Sequence, residues 1–324
     1  MTDVEFADHD LSERVRERLK NVESALNEAV DSSEPFVAEA AAHLLNAGGK
    51  RFRPMLVLLA AEFGAAGNPT IVDAAVVVEL THLATLYHDD VMDDAHVRRG
   101  ALSANARWDN SVAILVGDWL FACASDRVAD LGPEAVRLQA RTFSRLVQGQ
   151  IRETVGPGDR DPLDHYLSVV ADKTGSLIAT SAQFGAREAG ADAAVEETLR
   201  EFGEQIGVAF QLSDDILDVA SEASGKTPGT DLREGVPTLP TLYALRSTDD
   251  ASRRLRELLA EPISDDAELE EALSLLRAHP AMDQARDYVR NRADTARGLL
   301  DCLPDVPARA ALIDLCTTLA TRLT

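Results

Sequence analysis

An all-α fold is what this sequence predicts, and three observations carry that prediction. Apolar residues recur at three- and four-residue spacing along most of its 324 residues, the period of a helix that buries one face. Ala, Leu, Glu and Arg, all good helix formers, are abundant in those stretches. No stretch alternates convincingly enough to read as a strand. In chain order, residues 1 to about 10 read as a loose terminus. Breaks then fall at Gly48-Gly49, Gly64 to Pro69, Gly132-Pro133, Gly156-Pro157-Gly158, Gly225 to Pro240 and Pro304 to Pro307, dividing the chain into about ten to fourteen helices. Amphipathic patterns at Leu269 to Leu276 and Ala310 to Leu323 close the series. None of the breaks is long or low-complexity enough to be a domain linker, and no repeat has solenoid spacing. Residues 1–324 therefore read as a single helical domain, large enough to bury a sizeable core.

The charge balance narrows the partners. Lys plus Arg number 32 against 55 Asp plus Glu, a net charge of −23, so the surface repels nucleic-acid backbones and anionic membrane lipids. An anionic small substrate would need a local basic cluster or bound cations to enter such a field. Cys123, Cys302 and Cys316 lie in apolar helical contexts without paired spacing, as reduced thiols of a cytoplasmic protein do. The start, MTDVEFADHD, has neither the basic nor the apolar region of a secretory signal. The longest apolar stretch, Ala74 to Tyr87, contains Glu79 and His82 and falls short of the ~20 residues of a membrane span. No integral membrane segment is expected.

Two segments share an unusual design. From Thr70, Asp73 and Glu79 are the only charged residues until the stretch ends in Asp89, Asp90, Asp93 and Asp94. A helix apolar nearly all round belongs in a core. From Thr198, Phe202, Ile206, Val208, Phe210 and Leu212 lead into Asp214, Asp215 and Asp218. Asp89 and Asp93, like Asp214 and Asp218, are four apart and share a helix face, with Cβ atoms about 5–6 Å apart. Carboxylates crowded on an apolar helix repel one another, a penalty that divalent cations bridging to an anionic ligand remove. All-oxygen ligand sets select magnesium, and diphosphate is the matching ligand. One such motif is equally a solvated helix surface; two, each ending an apolar helix, favour the metal reading.

Cations stand where a diphosphate would need them. Gly48-Gly49-Lys50-Arg51-Phe52-Arg53-Pro54 places three of them in a glycine-started loop before a helix whose first turn accommodates Pro54. Arginine grips phosphate oxygens with a planar fork. His82 precedes Asp89 by seven residues, about 10 Å along the same face, and is equally readable as a buried core histidine. Arg98 and Arg99 suit separate diphosphates, or pairing with Asp93 and Asp94.

The blocks GGKRFRP, HLATLYHDDVMDDAHVRRG, KTGSL, FQLSDDILDV and GKTPGTDLREGVPTLP, in this order over residues 48 to 240, resemble the trans-isoprenyl diphosphate synthase, or polyprenyl synthetase, family. The resemblance implies an all-α isoprenoid synthase fold around a deep central cavity, usually as a homodimer. It implies a magnesium-dependent prenyltransferase joining isopentenyl diphosphate to an allylic diphosphate, with three Mg2+ per site bridged by the substrate diphosphate. Asp89 and Asp93 match the first aspartate-rich motif and Asp214 and Asp218 the second; Asp90 and Asp215 complete them as ligands or supporting groups. Lys50, Arg53, His82 and Arg99 match the isopentenyl diphosphate site. Arg98, Lys173, Thr174, Gln211 and Lys226 match positions facing the allylic diphosphate, Lys173 also counting among the catalytic positions.

Two departures stand out. Val236 occupies a position where the family carries a lysine, so one phosphate cation is absent, and Leu102 replaces a proline. Ala84 and Thr85, five and four residues before Asp89, and Thr81 a turn further up are not aromatic. The resemblance links small residues there to products longer than geranylgeranyl diphosphate, with Phe121 either a deeper floor or a core residue. The alternatives are a geranylgeranyl or farnesyl diphosphate synthase and a length-regulating subunit of a heteromeric synthase. A class I terpene cyclase normally lacks the GGKRxRP block, and a plain helical scaffold leaves the paired carboxylates unexplained.

Overall fold

The computed structural model describes residues 5–220 and 228–322. Sixteen α-helices are found among them, in the order α1 His9–Ala29, α2 Pro35–Asn46, α3 Phe52–Ala61, α4 Thr70–Met92, α5 Ala104–Arg107, α6 Asn110–Ala129, α7 Pro133–Val155 and α8 Pro162–Val170. There follow α9 Ser176–Glu188, α10 Ala193–Ala220, α11 Thr230–Glu234, α12 Leu239–Leu245, α13 Arg253–Leu258, α14 Asp266–Ala278, α15 Pro280–Leu299 and α16 Pro307–Thr321. The all-α class holds. The count exceeds the expected range because α5, α11, α12 and α13 are too short to show a period in sequence.

Helix ends follow the breaks closely. Gly132 and Gly156, both left-handed, bracket α7, and Pro133, Pro162, Pro280 and Pro307 each open a helix, where a missing N–H costs nothing. Two corrections belong here. Of the terminus expected to be loose, residues 1–4 lie outside the described residues, and 8–10 are ordered: Asp8 accepts from Leu11 N at 2.7 Å and caps α1, which starts at His9. One strand pair also exists. β1 Val97–Arg98 and β2 Ala101–Leu102 form a hairpin whose two turn residues, Arg99 and Gly100, both have positive φ. This is the mirror-image turn that fits strand twist, and Arg-Gly is not the Asn-Gly signal that would have announced it.

The chain divides into two compact units. The first comprises Met1–Ser144, Leu177–Gly203 and Cys302–Leu312. Its centre is α4, packed against α1, α3 and α6 and buried on every side from Ala74 to Thr81. At 23 residues α4 outruns the 74–87 stretch and is long and apolar enough to cross a membrane, yet 67% of its apolar window is buried inside the protein, as for a core helix.

The second unit comprises Arg145–Ser176, Glu204–Asp301 and Ile313–Thr324. Here α12 packs on α8 and α15, and α14 on α13 and α15. Leu269, Ala272, Leu273 and Leu276 form the buried face of α14, as the amphipathic pattern predicts. Between α8 and α9 the chain makes a π-helical turn, Ala171–Gly175, a feature common at functional sites.

Candidate active site

In the first unit, α4 delivers its aspartates at its C-terminal end. Asp89 is half-buried and Asp93, the helix cap, is exposed, the cap N–H still bonding to Asp89 O at 2.8 Å. Asp90 points the other way: it is 0% exposed and its Oδ1 accepts from Arg98 Nε at 2.6 Å. Its Oδ2 is buried without a partner, and burial raises the carboxyl's pKa. The outer aspartates are thus presented together, while the middle one anchors the hairpin that carries Arg98.

The cations gather around Glu79, itself 2% exposed within α4. Arg51 Nη1 donates to Glu79 Oε1 at 3.0 Å and Arg51 Nη2 to Leu45 O at 3.0 Å, while its Nε reaches Glu23 on α1 at 2.5 Å. Arg99 lies 3.7 Å from Glu79 and donates to Leu44 O and Gly48 O at 3.0 and 2.6 Å. The Gly48-Gly49 turn serves this packing. A Cβ at Gly49 would stand 2.9 Å from Arg51 Nη1 and 3.1 Å from Arg99 Cζ, so the glycine admits two guanidinium groups beside the backbone.

His82 sits among these arginines. Burial and then Arg53, Arg99, Arg51 and Arg98 hold its pKa well below the usual imidazole value, so at neutral pH it is an uncharged hydrogen-bonding group. Burial, with Arg99 nearby, brings Arg53 down to about 10 against the pull of Glu79; it stays charged, with its Nε buried and unpartnered. Lys50 lies on the exposed side of the loop. One consequence is measurable. Below 6.5, the ordinary value, the unfolded chain binds a proton at His82 that the folded chain refuses, so stability falls as pH drops through that region. A His82→Gln variant is expected to show a flatter decline in denaturation midpoint between about pH 6.5 and 5; identical slopes would refute this.

All three non-glycine residues with positive φ among the described residues, Arg51, Asp94 and Arg99, fall in or beside this cluster.

The second unit carries the other motif on α10. Asp214 and Asp218 are half-buried. Asp214 Oδ1 pairs with Arg322 Nη2 at 2.5 Å, and Asp218 Oδ2 accepts from Asp231 N at 3.3 Å. Asp215 is buried, like Asp90. It accepts from the Tyr166 hydroxyl and from Gln211 Nε2 at 3.0 Å, and Gln211 Oε1 in turn accepts from Thr174 Oγ1 at 3.2 Å. Burial lifts Asp215 to about 6, opposed by those bonds and reinforced by Asp214 and Asp218. Tyr166 is pushed well above its usual value by burial and by Asp215, so it remains the donor.

The π-helical turn presents Lys173 and Thr174 to a cavity of about 250 Å³ in this unit, whose walls include Tyr166, Gln211, Asp215 and Val236. Gly149 on α7 leaves room for the Lys173 stem, since a Cβ there would lie 3.0 Å from Lys173 Cγ. Lys173 pairs with Glu153. Asp172 on the same turn is held by Arg145 at 2.7 Å and by Arg152. Lys226 lies in 221–227, outside the described residues.

The donor chemistry suits a hard divalent cation. Each motif offers two outward carboxylates, and among the described residues no three His, Cys, Asp or Glu side chains converge into a cage. An ion that fills its shell with water and substrate phosphates needs no more. Sequence reasoning assigned no site role to Tyr166, Glu79, Glu23 or Arg322, because each takes its part through a partner that only the folded chain brings to it.

Residues 34–276 match the polyprenyl synthetase family. A nonaprenyl diphosphate synthase of Mycobacterium tuberculosis is 50% identical over 313 residues, 95% of this chain and 93% of that protein. The crystal structure of a geranylgeranyl pyrophosphate synthase from Corynebacterium glutamicum, complexed with calcium and isoprenyl diphosphate, is 48% identical with a TM-score of 0.91, covering 99% of each chain. That of a decaprenyl diphosphate synthase from Rhodobacter capsulatus is 34% identical with a TM-score of 0.89, covering 98% of this chain and 100% of that one.

Proposed function

This chain belongs to the polyprenyl synthetase family, and from that premise we propose that it condenses isopentenyl diphosphate with an allylic diphosphate, making a linear trans-polyprenyl diphosphate longer than geranylgeranyl diphosphate. The observation that carries the reading is that each aspartate motif sits among polar groups suited to phosphate: in the first unit Arg98 bonds Asp90 of the motif, with Arg53 and Arg99 around neutral His82, and in the second Gln211 bonds Asp215 and accepts from Thr174, next to Lys173 on the same cavity wall. The matched stretch, 34–276, runs through both units, which supports treating 1–324 as one polyprenyl synthetase domain.

In this reading Asp89, Asp93, Asp214 and Asp218 hold magnesium, three ions per site, and Asp90 and Asp215 support them from behind. Magnesium supplies charge neutralisation on the departing diphosphate. Arg53, Arg99, His82 and Lys50 hold isopentenyl diphosphate; Arg98, Lys173, Thr174, Gln211 and Lys226 hold the allylic substrate. Fixing both substrates in one geometry provides much of the acceleration, and the apolar surface of α4 keeps water from the allylic cation.

Product length follows from the α4 face. Ala84 is buried at 0% and Thr85 half-buried, so neither presents a ring to the growing tail. Phe121, suggested as a deeper floor, has its ring 4.2 Å from that of Phe143 and 5.8 Å from that of His88. The testing experiment incubates the purified chain with labelled isopentenyl diphosphate, farnesyl diphosphate and magnesium, and separates the dephosphorylated products. A ladder extending past geranylgeraniol supports the reading, termination at C20 removes the length assignment, and no elongation removes the activity. Ala84→Phe is expected to shorten the ladder by several isoprene units with folding intact; an unchanged ladder would place the tail elsewhere.

A homodimer is part of the proposal. On α6, Leu115 and Trp119 stand one turn apart and are 66% and 37% exposed, with Ile114 beside them, an apolar patch of the kind that marks a partner surface. Sedimentation is expected to give a dimer that Leu115→Glu converts to monomer; a wild-type monomer excludes it. We place the enzyme in the cytoplasm, in keeping with three cysteines that form no disulfide.

A further inference from the structure

We propose that His165 is a substrate-binding residue, donating from its imidazole to an oxygen of the allylic diphosphate on the side of the cavity where residue 236 offers no cation. The inference rests on the prenyltransferase reading above. His165 lies on α8 and is only 8% exposed. Its backbone is fully engaged, N–H to Asp161 O at 2.9 Å and C=O from Ser168 Oγ at 2.7 Å. Its ring Nδ1, by contrast, is buried with no protein partner. Other histidines are tied down: His43 to Leu102 O at 2.7 Å, His88 to Ile114 O at 3.1 Å, and His279 to Ser252 Oγ at 2.8 Å. Buried polar atoms left unpaired in a folded protein are uncommon and call for a ligand, ion or water.

The location says which ligand. His165 lines the same cavity of about 250 Å³ as Lys173, Thr174 and Gln211, the groups assigned to the allylic diphosphate. Three acids line that wall: Glu153 pairs with Lys173, Asp215 accepts from Tyr166 and Gln211, and Asp231 donates its backbone N–H to Asp218 Oδ2. Beyond Asp231 the wall continues through Val236, Pro237, Thr238 and Leu242, none of them a cation. An oxygen anion entering here meets Lys173 on one side and nothing charged at 236, and His165 supplies the donor that completes its shell. An imidazole N–H buried beside a phosphate oxygen makes a strong bond because no water competes with it.

The test measures KM for farnesyl diphosphate and for isopentenyl diphosphate, and calorimetric binding of inorganic pyrophosphate with magnesium, in the full chain. His165→Ala is expected to raise the allylic KM and the pyrophosphate Kd about tenfold, with the isopentenyl diphosphate KM and the melting temperature unchanged. Adding Val236→Lys to His165→Ala is expected to recover most of that loss. Should the alanine variant fail to fold, His165→Gln, which keeps a side-chain donor, is measured instead, with a smaller rise in the same two quantities. Unchanged constants, an equal rise for both substrates, or no recovery with Val236→Lys would each overturn the assignment. An inactive wild-type chain would instead sink the prenyltransferase reading.

Discussion

Asp89→Ala is expected to lower kcat by roughly 10³-fold while leaving the melting temperature almost unchanged. The size follows from losing a group that stabilises transition-state charge, where single deletions cost about 10²–10³-fold. The small structural effect follows from position: Asp89 is half-buried at the last turn of α4, where a carboxylate opposes the negative end of the helix dipole. Its neighbour behaves oppositely. Asp90, buried against Arg98, is expected to cost stability when removed, because Arg98 then loses its buried partner. Chelation of magnesium is expected to mimic Asp89→Ala. The decisive readout is product formation at saturating magnesium together with calorimetric magnesium binding: a variant that keeps more than about a tenth of wild-type kcat would take Asp89 out of the metal site.

The largest expected effect on stability belongs to Arg51→Met. Arg51 is 7% exposed and bridges Glu79 on α4 to Glu23 on α1 while bonding Leu45 O. Removing it leaves Glu79 buried with no hydrogen-bonded cation, only Arg99 at 3.7 Å and the charge of Arg53 opposing it. Breaking a buried pair in this way costs about 3–5 kcal/mol, which for a chain of this size lowers Tm by on the order of 10 °C. Adding Glu79→Gln to Arg51→Met is expected to restore part of the loss, since the stranded charge goes with it. A Tm within about 2 °C of wild type for the single variant would show that Arg99 and Arg53 suffice to neutralise Glu79. Arg51 is thus placed as a stabilising residue in a motif whose other cations are proposed for phosphates, and the sequence alone does not separate the two uses.

That ambiguity marks where sequence reasoning stopped. The helical period of α4 and its acidic end were legible because both live within one element, as were the i, i+4 aspartates. The break residues placed most long helices because glycine and proline act through their own backbone. What stayed hidden depends on chain segments far apart in sequence. Glu23 and Arg51 are 28 residues apart and Asp214 and Arg322 are 108 apart, and no local pattern couples them. The outward or inward aim of adjacent aspartates was hidden too, because Asp89 and Asp90 differ only by rotation about one helix. The π-helical turn that presents Lys173 breaks the 3.6-residue period on which the pattern reading rests.

Arg51, Asp94 and Arg99 hold left-handed backbone without being glycine, each at about 1–3 kcal/mol. Only finished surroundings can hold three such residues in place: the Glu79 and Glu23 ion pairs for Arg51, the carbonyls of Leu44 and Gly48 for Arg99, the end of α4 for Asp94. Glycine would adopt the same backbone shape without that cost, so at Arg51 and Arg99 the bonds made by the guanidinium groups are what outweigh the conformation they demand.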